Sequence, residues 1–477
     1  MIFPPTNMKR QSRRSFIRTA IGSGVGLAGL PNFIPARLLG ADAPGKKIQV
    51  AQIGCGRMGR SDMGSVLTQG PARVVAVCDL DAKRLAAGKQ MAEQFYHDRG
   101  EASASVKTYH DYRDVLASPE IDAVVVTVPD HSHALVAVEA ALAGKHIYVQ
   151  KPVTYSIEEA IGLRQAVRAK KVILQTGSQQ RSEHPWKSFR IASEAVRNGR
   201  IGRLKTIKIG IGLDKPSGHK PEPMPVPANL DYERWLGPAQ EQPYLERRVH
   251  PQDSLEGRPG WITTEDFGLG MITNWGAHHV DIAQWAMGQE LGGPLTVDGR
   301  AEFMTDDAWT VHTTYHVEMQ YPGSVRVLLD NRFETGLRFE GDEGWVFCTR
   351  SEEKITASDP NSAAGNEVLP PLRASDPKIL LPLTGDATRW APSSSHYLNW
   401  LEGILANRQP IAPIDQSARS LEACAAGWIS MKLKRKVTWD AATERFVGDD
   451  AANALRGRPA RKPEYDFQTA LKKAGLA

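Results

Sequence analysis

Ile48-Gln49-Val50-Ala51-Gln52-Ile53 runs directly into Gly54-Cys55-Gly56-Arg57-Met58-Gly59. An apolar stretch of strand length thus ends on a glycine-rich hexapeptide that opens a helical pattern. In such a turn the first glycine permits the sharp bend and the second lets backbone come close to a pyrophosphate. The third lets helix and strand pack closely. The helix beginning at Arg57 would aim its unpaired N–H groups and positive dipole end at the phosphates. Asp79 closes the next apolar run, twenty residues after Gly59. A carboxylate there can accept hydrogen bonds from the adenosine ribose hydroxyls and repels a 2′-phosphate. The expected cofactor is therefore NAD, with NADP disfavoured. Gly54, Cys55, Gly56, Arg57, Met58, Gly59 and Asp79 are its predicted contacts.

Further apolar runs follow at Val74–Cys78, Ala123–Val128, His146–Val149 and Val172–Gln175. Between them lie amphipathic segments at Ala82–Phe95, His133–Ala143 and Ile157–Ala169. Strands separated by helices of this length imply a parallel, doubly wound sheet over residues 45–178, because parallel strands need long crossovers. After Arg181 the texture changes. A helix near Trp186–Asn198 precedes strands at Leu204–Leu213, Thr296–Phe303, Thr310–Gln320, Val325–Asn331 and Gly344–Cys348. Consecutive strands without intervening helices favour a mostly antiparallel sheet. Helices over 393–407 and 416–433 are expected to return to the first domain. The second domain is read as 179–440 and the tail 441–477 as packing back. The proline-rich Lys215–Leu230 reads as an excursion over a cleft.

Two further motifs carry chemistry. Gln150-Lys151-Pro152 lies at the carboxyl edge of the parallel sheet, where open α/β folds bind ligands. Lys151 there could stabilise an alkoxide as hydride leaves its carbon. Asn274-Trp275-Gly276-Ala277-His278-His279-Val280-Asp281 offers an imidazole suited to removing a hydroxyl proton. Between these motifs, Tyr244–Trp261 carries Arg247, Arg248, His250, Arg258 and Trp261, a set suited to a carbohydrate that bears an acidic group. Arg181, Arg248, Trp261 and His279 are the candidate substrate contacts. The four cysteines Cys55, Cys78, Cys348 and Cys424 have no metal-ligand spacing and read as buried free thiols, and no metal site is expected.

The formal charge of +5 belongs to the N-terminus, since residues 1–43 hold six basic residues against one acidic. The neutral remainder gives no electrostatic case for nucleic acid. Ser12-Arg13-Arg14-Ser15-Phe16-Ile17-Arg18 fits a twin-arginine export pattern and is followed by a short apolar stretch from Ala20 to Leu30. Residues 1–43 are therefore expected to be a signal peptide read by the Tat translocase, with a periplasmic destination.

Taken with Val128-Pro129-Asp130-His131-Ser132-His133, Gly177-Ser178-Gln179-Gln180-Arg181-Ser182 and Trp235-Leu236-Gly237-Pro238, these motifs resemble the glucose–fructose oxidoreductase/inositol dehydrogenase (Gfo/Idh/MocA) family. The resemblance covers about 48–460 and is nearest to exported members. It implies a Rossmann domain followed by an α/β domain with a large open sheet, often the contact surface of a homo-oligomer (dimer or tetramer). It also implies hydride exchange between nicotinamide and a secondary alcohol of a sugar or cyclitol. The catalytic lysine of a Glu-Lys-Pro motif falls on Lys151, and an Asp-x-x-x-His pair on Asn274 and His278. Val128, Pro129, His133 and Gln150 fall on cofactor-lining positions. This chain departs from the pattern with Gln150 for Glu and Asn274 for Asp, each removing a negative charge. His278 is thus expected as the base and Lys151 as its electrostatic partner. Export further implies a tightly bound nucleotide. Two other functions stay open at this stage: a glycosidase acting by transient oxidation and elimination, and a non-catalytic sugar-binding protein.

Overall fold

The computed structural model describes residues 47–101, 103–350 and 370–476. The Ser12–Arg18 motif and the rest of the leader lie outside them. Six strands form one wholly parallel sheet: β1 (Ile48–Ile53), β2 (Ala72–Cys78), β3 (Lys107–Tyr109), β4 (Ala123–Val126), β5 (His146–Val149) and β6 (Leu174–Thr176). Their order is β3-β2-β1-β4-β5-β6, a doubly wound arrangement whose direction reverses between β1 and β4. Ligands bind such sheets at that reversal, beyond the carboxyl ends of the strands.

Both faces of this sheet are covered, which is why its strands read as unbroken apolar runs. Ala51, Ile53, Val124, Val126, Ile147 and Val149 face the helices Asp130–Leu142 and Ile157–Lys170. Val50, Val74, Ala123, Val125 and Tyr148 face the other way, toward Met63, Leu85, Trp400 and Leu401. The short β3 escaped sequence reading because its residues Lys107, Thr108 and Tyr109 are exposed or half-buried and carry no apolar pattern.

A nine-stranded second sheet has the order β13-β12-β11-β7-β10-β9-β8-β14-β15. Its strands are β7 (Leu204–Gly210), β8 (Thr296–Phe303), β9 (His312–Tyr321), β10 (Val325–Asp330), β11 (Gly336–Gly341), β12 (Trp345–Cys348), β13 (Leu372–Ala374), β14 (Val437–Asp440) and β15 (Arg445–Phe446). Only β7 and β10 run parallel, and the other pairs are antiparallel. Along β9 Tyr315, Val317, Met319 and Tyr321 are buried, while Thr314, His316, Glu318 and Gln320 are not. The outer face carries ion pairs such as Arg326–Glu318 (2.8 Å) and Lys208–Glu340 (3.0 Å).

The helix His396–Ala406 does return to the first sheet, through Tyr397, Trp400, Leu401 and Ile404. The helix Ile414–Leu433 joins both lobes. Ile414, Ala418 and Leu421 enter the first core, and Ala423–Ala426, Ile429 and Met431 enter the second. From the tail, Phe467 and Leu471 pack on Gly162, where a Cβ would meet the Phe467 ring at 2.5 Å. All four cysteines are free and buried.

Candidate functional site

Gly54 adopts φ +89°, and a Cβ there would lie 2.3 Å from the Thr127 carbonyl oxygen. Only glycine fits such a bend against β4. A Cβ on Gly59 would lie 1.9 Å from the Gly54 carbonyl oxygen, so the turn closes on itself. At Gly56 a Cβ would meet nothing within 4 Å. The turn is therefore tight on its core side and open on the other, as a pyrophosphate cradle requires. Helix Arg57–Leu67 begins here, and its first turn holds no acidic residue to compete with an anion.

One cavity of about 570 Å³ runs from this turn to the second sheet's helices. That volume lies within the ~300–1,000 Å³ typical of small-molecule sites. Gly54, Gly56, Arg57, Met58, Gly59, Asp79, Val128, Pro129, His133, Gln150, Lys151, Trp261, Asn274 and His278, all expected from sequence, line it. Four others do not.

The Cys55 thiol turns into the core toward the Cys78 carbonyl, leaving only its backbone N–H to hold Asp79 Oδ2 (2.6 Å). Arg181 is fully buried in a bidentate ion pair with Asp281 (2.6 and 2.7 Å), so it ties helices together and meets no cavity. That pair engages both carboxylate oxygens of Asp281. Arg248 donates to the Ala308 carbonyl and to Gln242. His279 is buried beside Phe189 and Trp275. Tertiary contacts thus take Cys55, Arg181 and Arg248 away from the cofactor and substrate roles expected of them, and packing among aromatic rings buries His279.

The cover over the cavity also differs from expectation. Lys215–Leu230 does not line it, and Ser217 and Gly218 are instead held by Asp307. The lining segment is His250–Trp261, strapped to the parallel-sheet lobe by basic side chains. Arg84 donates to the Pro251 carbonyl (2.7 Å), Lys83 to that of Gln252 (3.0 Å) and Arg60 to that of Leu255 (3.0 Å). His250 meets Asp81 at 3.0 Å. The strap lies at the Asp79 end of the cavity.

At the opposite end charged groups gather. Lys151 Nζ donates to both Asn274 oxygens, main-chain O at 3.0 Å and Oδ1 at 3.2 Å. Gln150 Nε2 donates to both oxygens of Asp62 (2.9 and 3.0 Å), which also accepts from Thr127 (2.9 Å) and Tyr397 (2.6 Å). Asp130 lies in the cavity wall, 3 % exposed. Arg350 sits between the rings of Trp186 (4.1 Å) and Trp275 (4.3 Å).

Burial, together with the positive charges of Arg350 and Arg258, draws Lys151 down to about 8, against the pull of Asp130. Burial and the Glu159 charge raise Asp130 to about 7, against the opposing pull of Lys151. Burial raises Asp62 to about 6 despite its hydrogen bonds. Burial, then Arg350 and Lys151, holds His278 well below its ordinary range, so it is a neutral imidazole that can only accept or share a proton transiently.

Asp62, Tyr397 and Arg350 had no legible signal, since each reads as an ordinary helix or strand-end residue. Asp130 stood inside a quoted motif without a role. Among the described residues no three His, Cys, Asp or Glu side chains form a metal-binding group.

A glycine cradle at the switch point of a doubly wound sheet, facing a half-buried lysine across one cavity, defines a dinucleotide-dependent oxidoreductase scaffold. The comparisons give the family. The model described as "Oxidoreductase family, NAD-binding Rossmann fold" matches residues 48–178, and "Oxidoreductase family, C-terminal alpha/beta domain" matches 216–359. Together they cover more than half of the chain, which belongs to the Gfo/Idh/MocA oxidoreductase family. It is 29 % identical to the uncharacterized oxidoreductase YrbE of Bacillus subtilis over 47 % of this chain and 58 % of that protein. It is 25 % identical to myo-inositol 2-dehydrogenase of Thermotoga maritima over 47 % of this chain and 59 % of that one. The matches thus span somewhat over half the length of these relatives. The fold is shared with the WlbA dehydrogenase from Bordetella pertussis, solved with NADH and UDP-GlcNAcA (TM-score 0.56, 18 % identity, 83 % of this chain and 99 % of that one).

Proposed function

We propose that this protein is an NAD-dependent dehydrogenase that exchanges hydride with a secondary alcohol carbon of a sugar, cyclitol or glycoside. The observation that carries the reading is the single cavity joining the Gly54–Gly59 turn to Lys151, Asn274 and His278. The residues present fit a dinucleotide. Gly56 leaves the cradle open, helix Arg57–Leu67 presents its N-terminus, and Asp79 offers a carboxylate at the ribose position. NAD, when bound, would supply the hydride acceptor.

Lys151 has a defined part in this. A neutral amine has two N–H bonds and one lone pair, and Asn274 occupies both N–H directions. The lone pair is left to take a hydroxyl proton. His278, expected from sequence as the base, is held far below its ordinary range by burial, Arg350 and Lys151, and is here the weaker acceptor or orienting group at the same wall. Asp79 supports NAD over NADP by charge.

The strap His250–Trp261 supports slow nucleotide release. That property suits a protein carrying a twin-arginine pattern, which would be loaded before export to the periplasm. The outer face of the nine-stranded sheet is our proposed contact between copies of the chain.

The test is nucleotide titration followed by tryptophan fluorescence, with cyclitols and sugars then screened for NADH formation. NAD is expected to bind more tightly than NADP, and at least one polyol to be oxidised. Absence of nucleotide binding overturns the proposal.

A further inference from the structure

A carboxylate and an amide are paired at the cavity wall. Asp62 is wholly buried in helix Arg57–Leu67, the helix that begins at the glycine cradle. Its oxygens accept four hydrogen bonds: two from Gln150 (2.9 and 3.0 Å), one from Thr127 (2.9 Å) and one from Tyr397 (2.6 Å). Asp62 thereby joins the cradle helix to the residues just past β4 and β5 and to helix His396–Ala406. Gln150 lines the cavity and Asp62 does not. Burial raises Asp62 to about 6, so at neutral pH it is ionised. Gln150 then has one orientation open to it, because an ionised carboxylate only accepts and a backbone N–H only donates. Nε2 must face Asp62, which leaves Oε1 to accept from the Lys151 N–H (3.1 Å). The backbone of Gly177 closes on the same oxygen, since a Cβ there would lie 2.6 Å from it. A glutamate at position 150 would instead set two carboxylates against each other. From this anchored main chain the Lys151 side chain crosses to Asn274, donating to its main-chain O (3.0 Å) and Oδ1 (3.2 Å).

We propose that Asp62 is a positioning residue for Lys151: it carries the negative charge that position 150 lacks and, through the Gln150 amide, fixes the main chain from which Lys151 reaches Asn274. The proposal rests on the dehydrogenase reading above. It makes Asp62 and Gln150 a transposable pair. An acid at 62 with an amide at 150 holds the lysine, and so does an amide at 62 with an acid at 150. Two acids repel each other. With two amides the orientation of Gln150 is no longer dictated, because an asparagine at 62 can donate as well as accept. The Lys151 N–H then loses its assured acceptor, and the amine loses its fixed approach to the substrate hydroxyl. Because Asp62 lies on the cradle helix, the same joint keeps the glycine turn and the lysine in one register.

The experiment compares wild type, Asp62→Asn, Gln150→Glu and the double variant Asp62→Asn/Gln150→Glu, with Thr127→Val as the control. Acetylation of Lys151 at neutral pH in nucleotide-free protein, read by mass spectrometry, reports the lysine without turnover. Asp62→Asn should acetylate at least about threefold faster, having lost a neighbouring negative charge and the fixed place on Asn274. Its kcat should fall about tenfold with KM little changed. Gln150→Glu should lower the urea midpoint, because two carboxylates would face each other across the 2.9 Å now spanned by a hydrogen bond. The double variant should return acetylation, kcat and midpoint toward wild type. Thr127→Val removes one hydrogen bond from Asp62 but leaves Gln150 oriented. It should lose stability while kcat and acetylation stay within about twofold of wild type, which separates positioning from mere loosening. A double variant no closer to wild type than Asp62→Asn overturns the proposal, as does a Thr127→Val that matches Asp62→Asn. Should Asp62→Asn alone not fold, a folded double variant with wild-type acetylation supports the pair, and one that also fails to fold overturns it. Wild type oxidising no polyol would instead overturn the dehydrogenase reading, while acetylation still decides the role of Asp62.

Discussion

The two ends of the cavity are built on opposite principles. At the nucleotide end the work is done by backbone: a positive-φ glycine, an open glycine, a helix N-terminus and one carboxylate held by the Cys55 N–H. The residues lie within one βαβ unit. At the reacting end the work is done by polar side chains from positions 62, 130, 151, 274, 278, 350 and 397, all but Asn274 titratable and most of them buried. Burial there moves Lys151 down and Asp130 and Asp62 up, toward neutrality. Burial thus brings the proton affinities of these groups close to one another and to neutral pH, which suits moving a proton. The nucleotide end instead needs fixed dipoles and shape, which glycine and a helix supply without titration.

Substitutions should separate the two ends. Lys151→Met should show the largest effect, a loss of about 10²–10⁴-fold in turnover. Its NAD affinity should stay within a few-fold of wild type by fluorescence titration. Equal losses in both would erase the division of labour. Gly54→Ala should do the reverse. Its Cβ meets the Thr127 carbonyl at 2.3 Å in a φ that alanine resists, so we expect a cost of about 3 kcal/mol in urea unfolding and loss of nucleotide binding. Normal nucleotide affinity in that variant would show that the turn is not the cradle.

The smallest effect concerns pH. Burial lowers His131 to about 3, His312 and His396 to about 4, and His278 well below its ordinary value. A group whose folded pKa is depressed contributes stability present above its unfolded value, about 6.5, and lost as pH falls toward the folded one. Asp62 and Asp130 are raised, so they act in the opposite sense: their contribution is full below about 4 and lost as pH rises through about 6 and 7. Asp79, Glu159 and Glu422 are also raised by burial, and His133, His146 and His279 are also lowered by it, so seven histidines stand against five carboxylates. Stability should therefore fall between pH 7 and 5, by on the order of 2 kcal/mol in urea titrations. A stability that rises over that interval would show that the buried histidines are charged in the folded protein.

How much was legible in sequence follows the same division. The Gly54–Gly59 turn, Asp79 and the alternation of β1, β2, β4 and β5 with helices could be read directly, because each is a local pattern with a local cause. Lys151, Asn274 and His278 were also placed at the cavity, by strand-end position and by resemblance. The substrate contacts fared worse. Of Arg181, Arg248, Trp261 and His279, only Trp261 lines the cavity, since the buried Asp281 and the Ala308 carbonyl took the two arginines. Strands β3 and β13–β15 were missed because short or edge strands need no strong apolar alternation, and β11 was missed although it is a six-residue interior strand with Leu337 and Phe339 buried.

Sequence by itself determined that a parallel doubly wound sheet begins at Ile48 and presents a glycine turn to a dinucleotide, because hydrophobic period and glycine stereochemistry act over a few residues. Only the tertiary structure decided which carboxylates attend Lys151. Asp62, Asp130 and Tyr397 are brought there by the packing of the helices Arg57–Leu67, Asp130–Leu142 and His396–Ala406 around one sheet. Burial, which sets their proton affinities, is a property of that packing and of no single stretch of chain.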